Sequence, residues 1–145
     1  MSEVLLMTNE VELPPLRTEA VARWIDSVAA AMGKVAGKLT YMFCDDEYIL
    51  AANRQFLGHD YYTDIITFDY STRKRISGDM LISLDTVRSN AALVGTDYRQ
   101  ELLRVVIHGV LHLCGINDKG EGEREIMEQF ENKALAMVPD DIWEK

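Results

Sequence analysis

Apolar residues recur every three or four positions at Val21, Trp24, Ile25, Val28, Ala29 and Met32, which predicts an amphipathic helix over 18–32 with Thr18 as a candidate cap. Before it, the apolar run at 4–8 suits an edge strand that Pro14-Pro15 ends. Leu39, Tyr41 and Phe43 alternate with polar neighbours, predicting a strand over 38–44, with Gly33 and Gly37 bracketing the turn that precedes it. Asp45 is a candidate cap for a helix over 46–57 with Ile49, Leu50 and Ala52 inward. Gly58-His59-Asp60 then reads as a turn, and 61–70 (YYTDIITFDY) reads as a buried strand because Ile65, Ile66, Thr67 and Phe68 are β-branched or aromatic. Residues 71–76 form a basic, polar loop before a strand at 78–83, which can run parallel or antiparallel to the last. Helices follow at 85–95, 98–114 and 123–137, the last with Ile126, Met127, Phe130, Ala134 and Leu135 on one stripe. The order βα βα ββ ααα implies an α/β (α+β) fold: a small mixed four-stranded sheet packed against about five helices. No repeat or linker interrupts it, so residues 1–145 read as a single domain.

Residues 101–119 (ELLRVVIHGVLHLCGINDK) change this picture from architecture to chemistry. His108 and His112, one helical turn apart at about 100° per residue, project from nearly the same face of an otherwise apolar helix. Two buried imidazoles need partners, because each unsatisfied polar group costs ~1–3 kcal/mol. Either they form a satisfied structural pair or they bind a metal. Gly115 stands where a helix C-terminus favours positive φ, and the return through Ile116 and Asn117 brings Asp118 toward the histidine face. Two imidazoles and a carboxylate are a three-ligand set that Zn²⁺ accepts with one position open. The two-His spacing is zincin-like. The H-E-x-x-H peptidase motif is nevertheless absent, since Gly109 occupies the position of the glutamate base.

His108-Gly109-Val110-Leu111-His112-Leu113-Cys114-Gly115 resembles the signature of the YbeY family, metal-dependent endoribonucleases of ribosomal RNA maturation. Two further blocks agree in order and spacing: Asn53 with Gly58 and then 63–68 (TDIITF), and Gly78-Asp79-Met80. The resemblance spans about residues 41–130 and implies a metal held by His108, His112 and Asp118, one Zn²⁺ per chain, with other divalent ions admissible. At the third position most of the family carries a histidine. Asp118 is a competent but harder ligand, which should alter metal preference and affinity before it abolishes binding and make the site somewhat more tolerant of Mn²⁺ or Mg²⁺ than a three-His site.

A second departure concerns catalysis. The family's arginine before the conserved glycine is replaced by Leu57; Arg54, on the same helical face, or Arg104, one turn before His108, are the candidates to clamp a phosphate in its stead. Asp64 is either a strand-terminating residue or a catalytic acid, Asp79 either a turn residue or a support for a ligand imidazole, and His59 a solvated loop residue or a proton donor.

Composition constrains the function classes. Fifteen basic and 24 acidic residues give a net charge of −9, an objection to nucleic-acid binding that only local clustering can meet. Arg73, Lys74 and Arg75 form such a cluster, while Glu121–Glu131 and Asp140–Glu144 read as a solvated acidic face. The N-terminal sequence carries neither a signal peptide nor a membrane span, and two unpatterned cysteines, Cys44 and Cys114, fit a reducing cytoplasm. The resemblance thus implies a cytoplasmic, zinc-dependent, single-strand-specific endoribonuclease acting in rRNA maturation and ribosome quality control. Its expected partners are ribosomal RNA and the ribosome or its small subunit, with no membrane and no DNA. The alternatives are a ribosome-assembly factor with a largely structural metal and a metal-dependent hydrolase of a non-nucleic substrate.

Overall fold

The computed structural model describes residues 2–59 and 63–144; the expected turn at Asp60 and the expected strand start at Tyr61 and Tyr62 lie outside the described residues. Along the chain run β1 (Glu3–Thr8), α1 (Thr18–Ala31), β2 (Val35–Cys44), α2 (Asp46–Ala52), a π-helical turn (Asn53–Leu57), β3 (Ile65–Asp69), β4 (Arg75–Ser83), α3 (Leu84–Val94), α4 (Tyr98–Leu113) and α5 (Glu123–Leu135). The strands form one mixed sheet in the order β1-β2-β4-β3. β1 and β4 pair parallel to β2, whereas β3 pairs antiparallel to β4. Parallel neighbours require crossovers, and α1 and α2 supply them.

Period-2 alternation decides what each face of the sheet touches. Leu39, Tyr41 and Phe43 of β2 and Ile76, Met80 and Ile82 of β4 are fully buried in one cluster with Trp24 and Ile25 of α1 and Ile107 and Leu111 of α4. Two buried donors tie these layers together: Tyr41 Oη donates to the Val106 carbonyl at 2.9 Å, and Trp24 Nε1 to the Ala134 carbonyl at 2.8 Å. On the opposite face a smaller cluster joins Cys44, Ile49, Ala52 and Ile66, with Phe68 and Leu81 against it. Among the described residues, no helix is long and apolar enough to cross a membrane.

The structure departs from the sequence expectation at several points. β3 is not a buried strand but the sheet's edge, and only Ile66 within it is buried. Its run of apolar residues serves two faces, Ile65 and Thr67 toward α4 and Ile66 and Phe68 toward α2, which mimics the sequence of a central strand. Asp45 does cap α2, accepting from the Tyr48 N–H at 2.9 Å, but the α-helix ends at Ala52 and a π-helical turn follows, bringing Phe56 edge-on to Phe68. Gly37 lies inside β2 at an irregularity between Ala36 and Leu39, and β4 begins at Arg75 inside the expected loop.

Candidate metal centre

The site is built on α4, and the seat of that helix begins at Gly109. A Cβ at this position would lie 3.0 Å from Ile65 Cδ1 and 3.1 Å from Met80 Cγ and Sδ, so the missing side chain lets the helix press onto β3 and β4. What approaches the helix here is the sheet's own side chains. At the helix end Gly115 adopts φ +98°, the Gly115 N–H donates to the His112 carbonyl at 2.9 Å, and the Ile116 N–H to that of Leu111 at 3.0 Å. This Schellman closure satisfies the last carbonyls and turns the chain back, carrying Asp118 over the histidine face.

There Asp118 Oδ2 lies 3.3 Å from His108 Nε2 and 3.5 Å from His112 Nε2, and the two rings stand edge to face at 4.6 Å between centroids. The three candidate ligand atoms all lie within 4.8 Å of one another. Atoms ~2.0–2.2 Å from a tetrahedral Zn²⁺ are separated from each other by ~3.4 Å, so the two nitrogen–oxygen distances suit a shared ion better than a hydrogen bond. Asp118 Oδ1 is buried with no hydrogen-bond partner among the described residues, a lone pair left for another ligand. The donor set and its spacing therefore fit a divalent metal.

Charge around the pair is asymmetric. Burial, the largest influence on His108, would lower its pKa, but the hydrogen bond and charge of Glu131, with Asp118 and Asp64, overcome it and raise the ring above the ordinary histidine value. His112 is held below that value by burial and by His108, against the pull of Asp118. Two open depressions of about 370 and 450 Å³ meet at this point, and Asp64, His108 and Asp118 line both.

Sequence reasoning left Glu131 on a solvated acidic face. It is instead buried at 8% exposure, with Oε2 2.7 Å from His108 Nδ1 and Oε1 accepting from Arg104 Nη1 at 2.8 Å. The available signal was its register: Met127, Glu131 and Ala134 are the buried residues of α5, so a carboxylate stands in the inner stripe. Ile126, assigned to that stripe from the sequence, is 49% exposed.

The remaining candidates separate. Asp64 lies at the site, where burial raises its carboxyl above the ordinary aspartate range despite the opposing charge of His108. Arg104 borders the first depression, but its guanidinium is engaged by Glu131 and by Asn132 Oδ1, the latter at 2.8 Å. Arg54 lies exposed in the π-helical turn that packs on the other side of the sheet through Phe56, and it lines neither depression. Asp79 alternates with Gly78 and Met80, which face α4, and so points away from the histidines; it supports neither ring. His59 is exposed and also lines neither depression, and Cys114 packs against the main core.

A mixed four-stranded sheet that seats a two-histidine helix, with an acidic third donor returned by a glycine turn, defines a protein of the metallohydrolase type. The profile of the family described as Endoribonuclease YbeY matches residues 6–138, and the chain belongs to that family. Proteins called Endoribonuclease YbeY from Parabacteroides distasonis and Porphyromonas gingivalis are similar to it. The first is 60% identical over 133 residues, covering 92% of this chain and 94% of the relative. The second is 50% identical over 142 residues, covering 98% and 94%. The solution structure of a Thermotoga maritima protein shares the fold, with a TM-score of 0.65 at 24% identity, over 93% of this chain and 88% of that one.

Proposed function

We propose that the chain is a zinc-dependent, single-strand-specific endoribonuclease that matures ribosomal RNA and serves ribosome quality control in the cytoplasm, with residues 1–145 forming one catalytic domain. The observation that carries this reading is the convergence of His108, His112 and Asp118, within 4.8 Å, where two open depressions meet. These three residues would hold the ion. A divalent metal there supplies Lewis acidity at a phosphate and a nucleophile at neutral pH. Two imidazoles favour Zn²⁺, and the carboxylate leaves Mn²⁺ and Mg²⁺ admissible.

The chain's own groups do the rest. A strand crossing the centre would occupy both depressions, one on each side of the scissile phosphate. Support for Asp64 as proton acceptor is that it lines both and that burial makes its carboxylate more basic than an exposed one. The attacking oxygen, from water or from the neighbouring ribose 2′-OH, would pass its proton to Asp64 and form the new P–O bond as the old one breaks, the leaving oxygen taking a proton from solvent.

The net charge of −9 extends to the depressions, whose acidic lining residues outnumber the basic ones, so further cations for a strand must lie beyond them. Lys34 Nζ donates to the Arg73 carbonyl at 2.7 Å, which gathers Lys34, Arg73 and Lys74 at one end of the sheet. Asp69, the last residue of β3, lines the second depression with Lys119, and the turn after it carries Arg73 and Lys74. A strand leaving the centre along β3 would thus reach cations.

The test is metal content of the purified chain beside cleavage of single-stranded and duplex RNA, each with and without a chelator. About one zinc per chain and chelator-sensitive cutting of the single strand are expected. Bound metal without cutting would favour the assembly-factor alternative, and absence of bound metal in zinc-supplemented protein would overturn the site.

A further inference from the structure

α5 carries a carboxylate where its pattern calls for an apolar residue, between Met127 at 2% and Ala134 at 2% exposure. Taking an ion out of water at such a position is costly unless it is paired and hydrogen-bonded. Glu131 is paired on both oxygens. Oε1 accepts from Arg104 Nη1 at 2.8 Å, and Oε2 lies 2.7 Å from His108 Nδ1. Arg104 and His108 are one turn apart on α4, so the two partners bracket the carboxylate from a single helix face. Arg104 Nη2 donates onward to Asn132 Oδ1 at 2.8 Å, which fixes the fork against the next residue of α5.

The arrangement has a consequence for the ring. Arg104 is a permanent cation that can only donate, and a carboxylate facing it is an acceptor only. The hydrogen shared between Glu131 Oε2 and His108 therefore belongs to Nδ1. In the neutral ring the lone pair is then left on Nε2, the atom 3.3 Å from Asp118 Oδ2. A histidine side chain free in water prefers the other tautomer, with its hydrogen on Nε2, which could not ligate a metal in this orientation.

We propose that Glu131, held by Arg104, is the positioning residue of the metal centre: it fixes His108 with its hydrogen on Nδ1 and its lone pair on Nε2, aimed where His112 and Asp118 converge. This rests on reading those three residues as a metal site. It also gives Arg104 a different task from the phosphate clamp considered from the sequence, since its guanidinium reaches the reaction through Glu131 and His108.

The experiment uses the full chain and has two readouts, neither of them activity. Zinc affinity is measured by competition with a chromophoric chelator, and the tautomer of His108 in the metal-free protein at pH 8.5 by long-range ¹H–¹⁵N correlation of the ring. Glu131→Gln is isosteric and keeps an acceptor oxygen; Glu131→Leu removes it; Arg104→Lys keeps the charge but not the fork. Asp141→Asn, in an exposed pair with Arg23 remote from the site, is the control. Zinc affinity is expected to fall roughly 10- to 100-fold in Glu131→Leu, with smaller losses in Glu131→Gln and Arg104→Lys and no change in the control. The His108 hydrogen should lie on Nδ1 in wild type and move toward Nε2 in Glu131→Leu. Glu131→Gln tests the idea even if the leucine variant fails to fold. Wild-type zinc binding combined with an unmoved tautomer and an affinity within twofold in both Glu131 variants would overturn the inference and leave the metal centre standing. A wild-type chain that binds no zinc would overturn both.

Discussion

Replacing Gly109 by alanine separates two effects of opposite sign at the residue next to a candidate ligand. In a helix interior alanine is favoured over glycine by ~1 kcal/mol, because it has less backbone freedom to lose. Against this, the new Cβ would stand 3.0 Å from Ile65 Cδ1 and 3.1 Å from both Met80 Cγ and Sδ. Adding a methyl group to a packed interior costs roughly 1–3 kcal/mol. The two neighbours differ in what they can yield. Ile65 is half-buried on an edge strand and can swing outward, whereas Met80 is fully buried and has nowhere to go. The net expectation is a loss of about 1 kcal/mol, which lowers Tm by roughly 2–4 °C in a chain of this size.

Thermal and urea unfolding of the metal-free protein measure this directly, and a double-mutant cycle tests its cause. Met80→Ala alone should cost ~2–5 kcal/mol, but combined with Gly109→Ala it should cost less than the sum, because the methyl group enters the space that the methionine leaves. A coupling of at least ~0.5 kcal/mol in that direction is expected. If Gly109→Ala raises Tm and shows no coupling to Met80, the helix propensity term acts alone. The close seat of α4 on the sheet would then be refuted.

Three other predictions concern the centre and its approach. Asp118→Ala should weaken zinc binding, whereas Asp118→His should retain or tighten it; equal metal content in wild type and the alanine variant would remove Asp118 from the site. A metal needs both rings neutral, and His108 has the raised pKa whereas His112 has the lowered one. Without metal, the raised His108 contributes stability that is present below the ordinary histidine pKa and lost as pH rises through its folded value. Zinc binding should therefore weaken as pH falls through that value, with His108 rather than His112 giving up the competing proton, read from the pH dependence of zinc affinity in wild type beside His112→Asn. An affinity that does not change as pH falls through that value would contradict the asymmetry. Finally, replacing Arg73 and Lys74 together with alanine should flatten the dependence of log RNA affinity on log salt by about 1.4, two phosphate contacts at ~0.7 each. An unchanged slope would take the strand elsewhere.

How much of this was legible in the sequence depended on whether a residue's role was local. His108, His112 and Gly115 announce themselves because helical spacing and a C-terminal glycine are properties of adjacent residues. The alternation of β2 and the stripe of α1 are legible for the same reason. The edge position of β3 was not, since apolar residues on both sides of a strand look alike whether the cover is a sheet neighbour or a helix on each face. Glu131 was missed because its partners, Arg104 and His108, lie more than twenty residues away in sequence, although its register in α5 set it among buried neighbours. The π-helical turn had no visible cause in the sequence, and Arg54 within it lines neither depression.

The candidate centre is divided between rigid and adaptable parts. Both histidines sit on a helix pressed to the sheet at Gly109, and one is also bonded to α5 through Glu131. Their positions are set by the packing of the core, and neither can change without disturbing it. The third donor is different. It comes from the loop after Gly115, outside the helix, so its chemical identity can change while the backbone that presents it stays the same. A carboxylate oxygen is shorter in reach than an imidazole nitrogen, yet Oδ2 already lies 3.3 and 3.5 Å from the two ring nitrogens, distances a shared ion requires. With Asp118 as third donor, its harder oxygen would admit ions beyond zinc.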